Sequence, residues 1–445
     1  MPTRPGILAV FASLLATSLL AACGSTADPA PAGLTYSSNP GIYAVGVAIT
    51  PNTPTSTGGA ISSYAVSPTL PAGLALNATT GVISGTPTQV TASAAYTVTG
   101  SNGSGSTTVP LTLGVPGFVA TGSMSVARSD FTATLLANGK VFVAGGGSAV
   151  TELYDPATGI FTATGSMSVA RDGQTATLLP SGNVLITGGF GTSGLLSSAE
   201  IYAPATGLFT ATGDMSGTRA GHAAVLLKTG KVLVTGGAGS AGFKSAELYD
   251  PSTGVFTATG TMVTTPRFVF HLILLDNGKA LLAGGQGSDG YLSSAELYDP
   301  ATGLFAATGR MASKRLLSSA TLLVSGKVLV AGGGDGSGSV PVATAELYDP
   351  VTGLFTSTGS MVGARYSQAA ARLVSGKVLL TGGYNSDNLA SAELYNPNAG
   401  TFASTGNMIT SRSRATATLL PNGKVLVAGG LNSLASISSA ELYLE

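Results

Sequence analysis

Two ionisable side chains recur in step through residues 117–445: an arginine, at Arg128, Arg171, Arg219, Arg267, Arg315, Arg365 and Arg412, and a glutamate, at Glu152, Glu200, Glu247, Glu296, Glu346, Glu393 and Glu441. A guanidinium group carries five N–H donors in a planar fork that fits a carboxylate two bonds at a time. Two uses follow from that chemistry. Each arginine can pair with a glutamate and pin one repeat to the next, since charges withdrawn from water must be compensated. Alternatively, some arginines line a binding mouth and grip an acidic group, and different copies can do different things.

Other chemistry-bearing residues are few. The chain has only His222 and His271 and a single cysteine, Cys23. Each histidine falls three or four residues after a repeat arginine, a position that reads as repeat packing, and two histidines are a weak metal signal. With 20 basic and 20 acidic side chains, and only 9% of residues charged, no clustered basic surface exists to neutralise phosphates, so nucleic acid is excluded. From Pro29 to Ala127 there is no Asp, Glu, Lys, Arg or His. Acid–base catalysis and carboxylate calcium sites are therefore excluded from that stretch.

The elements that must position these residues come from a repeat. A period near 47 residues runs from Gly117 onward, with methionines at Met124, Met167, Met215, Met262, Met311, Met361 and Met408 opening seven copies. Each copy continues with the arginine, an apolar run, a turn, an apolar run ending in Gly-Gly, a variable loop and Ala-Glu-Leu-Tyr-Asp-Pro-x-Thr-Gly-x-Phe or a close variant. Asn138-Gly139, Asn277-Gly278 and Asn422-Gly423 favour tight hairpins, and Asp155-Pro156-Ala157-Thr158-Gly159 marks the next one. Four strands per copy follow, and a period of this length is the signature of propeller blades.

The paired glycines, the tyrosine late in the third strand and the aromatic in the fourth resemble the Kelch repeat over residues 117–445. Kelch carries tryptophan in the fourth strand, whereas here the residue is Phe118, Phe161, Phe209, Phe256, Phe305, Phe355 or Phe402, an interblade aromatic without the indole donor. The region starts on an isolated fourth strand, 117–122, and stops at Glu445 after a third strand. The two fragments complete one blade, so the expectation is an all-β, seven-bladed, closed ring. In such a ring the Asn-Gly and Asp-Pro turns share one face. The other face carries the repeat arginines and the variable loops, with Phe190, Phe243, Lys244, Asp289, Tyr291, Asp335, Tyr384, Asn385 and Asp387. Departures from a repeat consensus are where function is grafted.

Before the repeat, residues 1–22 read as a secretory signal peptide. Leu20-Ala21-Ala22-Cys23 resembles the bacterial lipobox, which implies acylation of Cys23, and residues 23–33 form a short tether. Gly24 and Ser25 resemble the outer-membrane sorting pattern of Gram-negative lipoproteins. Residues 34–115, through Pro68-Thr69-Leu70-Pro71-Ala72-Gly73-Leu74 and Thr80-Gly81-Val82-Ile83-Ser84-Gly85-Thr86-Pro87, resemble the Ig-like modules of bacterial surface proteins, small β-sandwiches that serve as spacers.

The expected protein is a membrane-anchored binding scaffold of the bacterial cell envelope, not an enzyme. It takes a protein or an acidic ligand at the channel mouth, through the seven arginines with Phe190, Phe243, Tyr291 and Tyr384. It needs no cofactor or metal, touches the membrane only through its lipid, and is a monomer. The alternative is an enzyme of Kelch-propeller type acting on sugars, which a carboxylate or tyrosine of shifted pKa on the variable face would favour. Copper chemistry resembling that of galactose oxidase is disfavoured, because it requires histidine and tyrosine ligands and a cysteine–tyrosine cross-link, and Cys23 is committed elsewhere.

Overall fold

A computed structural model describes residues 28–240, 244–288, 290–336 and 340–445. The signal-peptide stretch, Cys23, Phe243 and Asp289 lie outside the described residues. The described chain is all-β.

The first unit packs short strands around Leu34, Ile83, Tyr96, Val98, Leu111 and Leu113. Its spine is a long hairpin, Thr91–Asn102 paired with Gly105–Val115. Tyr96 and Val98 on one strand, and Leu111 and Leu113 on the other, turn inward at every second position, as the pleat requires. The Asn102 carboxamide oxygen accepts the N–H groups of Ser104 and Gly105 at 2.8 and 3.1 Å and so sets the turn. Only Pro116 separates this hairpin from the next strand, Gly117–Ala120.

Among the described residues seven four-stranded antiparallel sheets follow. Their second strands, such as Val184–Thr187 and Val232–Thr235, are buried on both faces, which is why they read as unbroken apolar runs instead of alternating ones. At the first hairpin the Leu136 N–H donates to the Lys140 carbonyl at 2.9 Å and Gly139 takes φ 81°, a three-residue loop with glycine in the left-handed position. The Gly-Gly pair answers to close approach between sheets. A Cβ on Gly188 (φ 58°) would stand 2.5 Å from the Arg219 carbonyl oxygen and 3.0 Å from the Met215 methyl of the next sheet, so any side chain there would push two sheets apart.

First strands touch in a closed cycle, from Phe131–Leu135 around to Thr416–Leu419 and back to the start. A second tie recurs at each junction: a threonine hydroxyl just past one sheet meets the tyrosine hydroxyl of the next. Thr164 meets Tyr202 at 2.9 Å, Thr405 meets Tyr443 at 3.0 Å, and Thr121 meets Tyr154 at 2.9 Å across the closure. The last sheet takes Gly117–Ala120 as its fourth strand, with Phe118 opposite Tyr443, so the early strand covers what would be an open edge. The fourth-strand phenylalanines do not act alone as interblade aromatics. Each lies across from the tyrosine of its own sheet, Phe256 standing 4.8 Å from Tyr249, and it is the tyrosine that reaches the neighbour.

Candidate functional site

The repeat arginines are not a ligand face. All seven are 0 or 1% exposed, and each is spent on its own sheet. Arg412 Nη2 stands 2.7 Å from Glu441 Oε1, while its Nη1 donates to the Gly429 and Ser439 carbonyls, both at 2.8 Å. The other glutamate oxygen accepts the Ile409 N–H at 2.7 Å. Arg128 with Glu152, Arg171 with Glu200, Arg219 with Glu247, Arg267 with Glu296, Arg315 with Glu346 and Arg365 with Glu393 repeat the arrangement. Both members belong to one sheet, so the pair braces the lead-in segment against the third strand instead of joining sheet to sheet. The chemistry that favoured an acidic ligand is thereby consumed internally.

What the mouth presents are the two residues after each arginine. Two positions on, Asp130, Gly173, Gly221, Val269, Leu317, Ser367 and Arg414 all adopt left-handed backbone, with φ between 49° and 62°. Non-glycine residues there carry a cost of about 1–3 kcal/mol each, and such strain collects where a chain must present groups in a set direction. Backbone bonds join neighbours along two arcs: Gly221 N–H to Gly173 and Val269 N–H to Gly221, then Ser367 N–H to Leu317 and Arg414 N–H to Ser367. Arg414 then reaches Asp130 through an exposed ion pair of 2.9 Å.

A cavity of about 410 Å³ opens here, lined by Asp130, Asp172, Phe190, Gln286, Leu316 and Arg414 among others. Asp172 follows its arginine directly, and its backbone is held by the reciprocal pair with Phe190 at 2.9 and 2.7 Å. Although its side chain keeps an exposed side at the rim, the surrounding walls push its pKa up; the Asp130 carboxylate raises it further, opposed by the Gly173 N–H and by Arg414. Across the mouth the Tyr366 and Tyr384 rings stand 5.4 Å apart. Burial, then Tyr384, push the Tyr366 phenol up.

Of the loop residues expected at the mouth, Phe190 is there and 57% exposed. Tyr384 joins the tyrosine pair, and Tyr291 is near enough to act on Tyr366. Asp130, Asp172, Tyr366 and Arg414 were missed. Their columns vary from copy to copy, so they carry no periodic signal; the trace available in sequence was that charge appears in them only at 130, 172 and 414.

The histidines are scaffold. His222 Nε2 lies 3.0 and 3.2 Å from the Thr187 and Thr175 hydroxyls, and His271 Nε2 lies 3.0 Å from Ser318 Oγ. Burial pushes His222 down to about 3 and His271 down to about 4 from the ordinary 6.5. Folding therefore favours the neutral rings, and the stability they confer is full above pH 6.5 and lost as pH falls toward 4 and 3. The melting temperature is expected to drop on going from pH 7 to 4.5, with His222→Gln shrinking that drop; an equal drop in the variant would contradict this.

Comparison with known proteins places these features. Residues 32–116 match the family model "Putative Ig domain", and residues 315–362 match the Kelch motif. The chain carries an Ig-like domain and, behind it, a β-propeller that contains a Kelch motif. No curated protein sequence matches it. Among solved structures, the propeller chain resembles a novel fungal alcohol oxidase with catalytic diversity among the AA5 family, in complex with copper: TM-score 0.61, 19% identity, 74% of this chain and 75% of that one. At that identity the likeness shows the fold. It also overturns the expectation of a non-enzyme, because this fold carries catalysis in the neighbour. The copper set itself does not fit here. Both histidines are engaged with hydroxyls inside the scaffold, and among the described residues no three His, Cys, Asp or Glu side chains gather as metal ligands.

Proposed function

We propose that this Kelch propeller holds a hydroxyl-bearing ligand, a sugar or another alcohol, at its channel mouth and that Asp172 exchanges a proton with it. The supporting observation is the pair of carboxylates: Asp130 is engaged by Arg414, and Asp172, beside it, is pushed toward its neutral form. A carboxyl group pushed toward its neutral form next to a second carboxylate is the pattern of acid and base sharing one site. Phe190 and the Tyr366–Tyr384 pair supply apolar and aromatic faces against which a ring can lie. The fold shared with an alcohol oxidase supports the ligand class.

Asp172→Asn is expected to lower turnover by about 100-fold or more, the scale of positioned acid–base catalysis, with an unchanged melting temperature. Because the Asp172 pKa is raised above 3.8, its proton persists to higher pH than on an ordinary carboxyl, and a step that needs the acid weakens as pH rises through that range. A panel of neutral sugars and simple alcohols, followed by calorimetry and product analysis, tests this. Full activity and binding in both Asp172→Asn and Asp130→Asn would remove the site.

Plain binding without turnover is the second reading, supported by the Kelch motif, whose propellers serve as interaction scaffolds, and by exposed Phe190. Attachment to the cell envelope through acylated Cys23 belongs to the proposal as well, and its support is the lipobox-like Leu20-Ala21-Ala22-Cys23.

A further inference from the structure

We infer that the Ig-like domain is a rigid, latched mount that holds the propeller with its mouth facing away from whatever the N-terminal segment is attached to. Three observations carry it. The chain arrives at one end of the domain, where Asn102 Nδ2 donates to the Pro29 carbonyl at 2.8 Å and the Gly59 N–H donates to Ala30. It leaves at the other end, where Thr91 pairs with Val115. Between the two ends runs the 12-residue strand Thr91–Asn102, which at about 3.3 Å per residue separates them by roughly 40 Å.

The leaving end is fastened at more than one point. Pro116, with its fixed φ, is the whole linker. The Ser93 N–H donates to the Glu445 carbonyl at 2.9 Å, and Val90 lies against Gly117. Glu445 is itself held from a third place: Lys377 Nζ stands 3.1 Å from its carboxylate and Ser375 Oγ donates to it at 2.9 Å. That contact depends on one departure from the repeat. Lys140, Lys231, Lys279 and Lys327 each pair with the aspartate of their own sheet, Asp155, Asp250, Asp299 and Asp349. In the sixth sheet that aspartate is Asn396, and the lysine, without its usual partner, takes Glu445 instead.

The seat lies on the face of the Asp-Pro turns. Each third strand runs from its glutamate, next to the arginine, to the turn, and Glu445 follows the strand Ala440–Leu444 at that turn end. The mouth residues Asp130, Asp172 and Arg414 follow the arginines on the opposite face. Seat and mouth thus lie on opposite faces of the ring, and the mouth points away from the spacer.

The test is a distance distribution between spin labels at Gly103→Cys and Asp387→Cys in the full chain carrying Cys23→Ala, read by pulsed paramagnetic resonance. One narrow population is expected. Asn396→Asp, which gives Lys377 the partner that four other sheets already use, should broaden it at least twofold without lowering the melting temperature. A broad distribution in the parent, or none of that broadening in Asn396→Asp and Lys377→Ala, would overturn the mount. The outward mouth rests additionally on the attachment through Cys23. On vesicles of phosphatidylcholine holding a headgroup quencher, the lipidated chain should show quenching of a fluorophore at position 103 and none at 387. Equal quenching overturns the orientation, whereas no quenching at either overturns the attachment and leaves the mount to the distance result.

Discussion

Glu296→Ala is expected to destabilise the propeller by about 3–5 kcal/mol, the scale for removing one partner of a buried ion pair. Arg267 and Glu296 are both 0% exposed, and the Glu296 carboxylate accepts the Val263 and Thr264 N–H groups at 2.7 and 3.1 Å, the Thr264 hydroxyl, and Arg267 Nη2 at 3.2 Å. Truncation would leave a guanidinium in a dry interior with one carbonyl pair and two hydroxyls for company, while two backbone donors lose their acceptor. The double variant Arg267→Met, Glu296→Leu should lose less than the sum of its parts, since no uncompensated charge remains. Denaturant unfolding of Glu296→Ala, of the double variant and of its two single components, Arg267→Met and Glu296→Leu, measures this. A loss below about 1 kcal/mol for Glu296→Ala would mean that water or another residue replaces the carboxylate, and that the pair is ornamental.

A chain beginning at Ser123 should lose cooperative melting, whereas one beginning at Gly117 should keep it. The first lacks the strand Gly117–Ala120, its ladder to Ala440–Leu444, the buried Phe118 and the Thr121–Tyr154 hydroxyl tie. Losing a whole strand exceeds the ordinary point-mutation range of about 0.5–3 kcal/mol, and the bare third strand becomes an edge that invites pairing with other copies. The second chain lacks only the Ig-like domain, which meets the ring at a few points such as Ser93 and Val90. Calorimetry with light scattering reads both effects. If the Ser123 chain melts like the intact protein, closure by the early strand contributes nothing to stability.

Much of this architecture was legible in the residues alone. Repetition betrayed the ring, because each sheet solves the same packing problem with the same side chains: methionine and glycine at the junction, tyrosine at the tie, glutamate beside arginine. Complementary fragments at 117 and 445 announced the closure, since strand count is local. The matched numbers of arginines and glutamates implied pairing, but whether the pairs faced a ligand or the interior depended on burial, and burial depends on which strands stack above them. Likewise Asn396 looks like an ordinary variation until Lys377 is seen reaching Glu445.

The mouth was decided by tertiary structure. Asp130 and Arg414 are 284 positions apart and meet only because the ring brings its first and last sheets together; Asp172 gains its raised pKa from walls built by several sheets. Sequence fixes what each copy shares, because shared positions are what the scaffold needs. The proposed site uses the columns where copies differ, and a difference acquires meaning only when folding sets the varied residues of all the sheets around one opening.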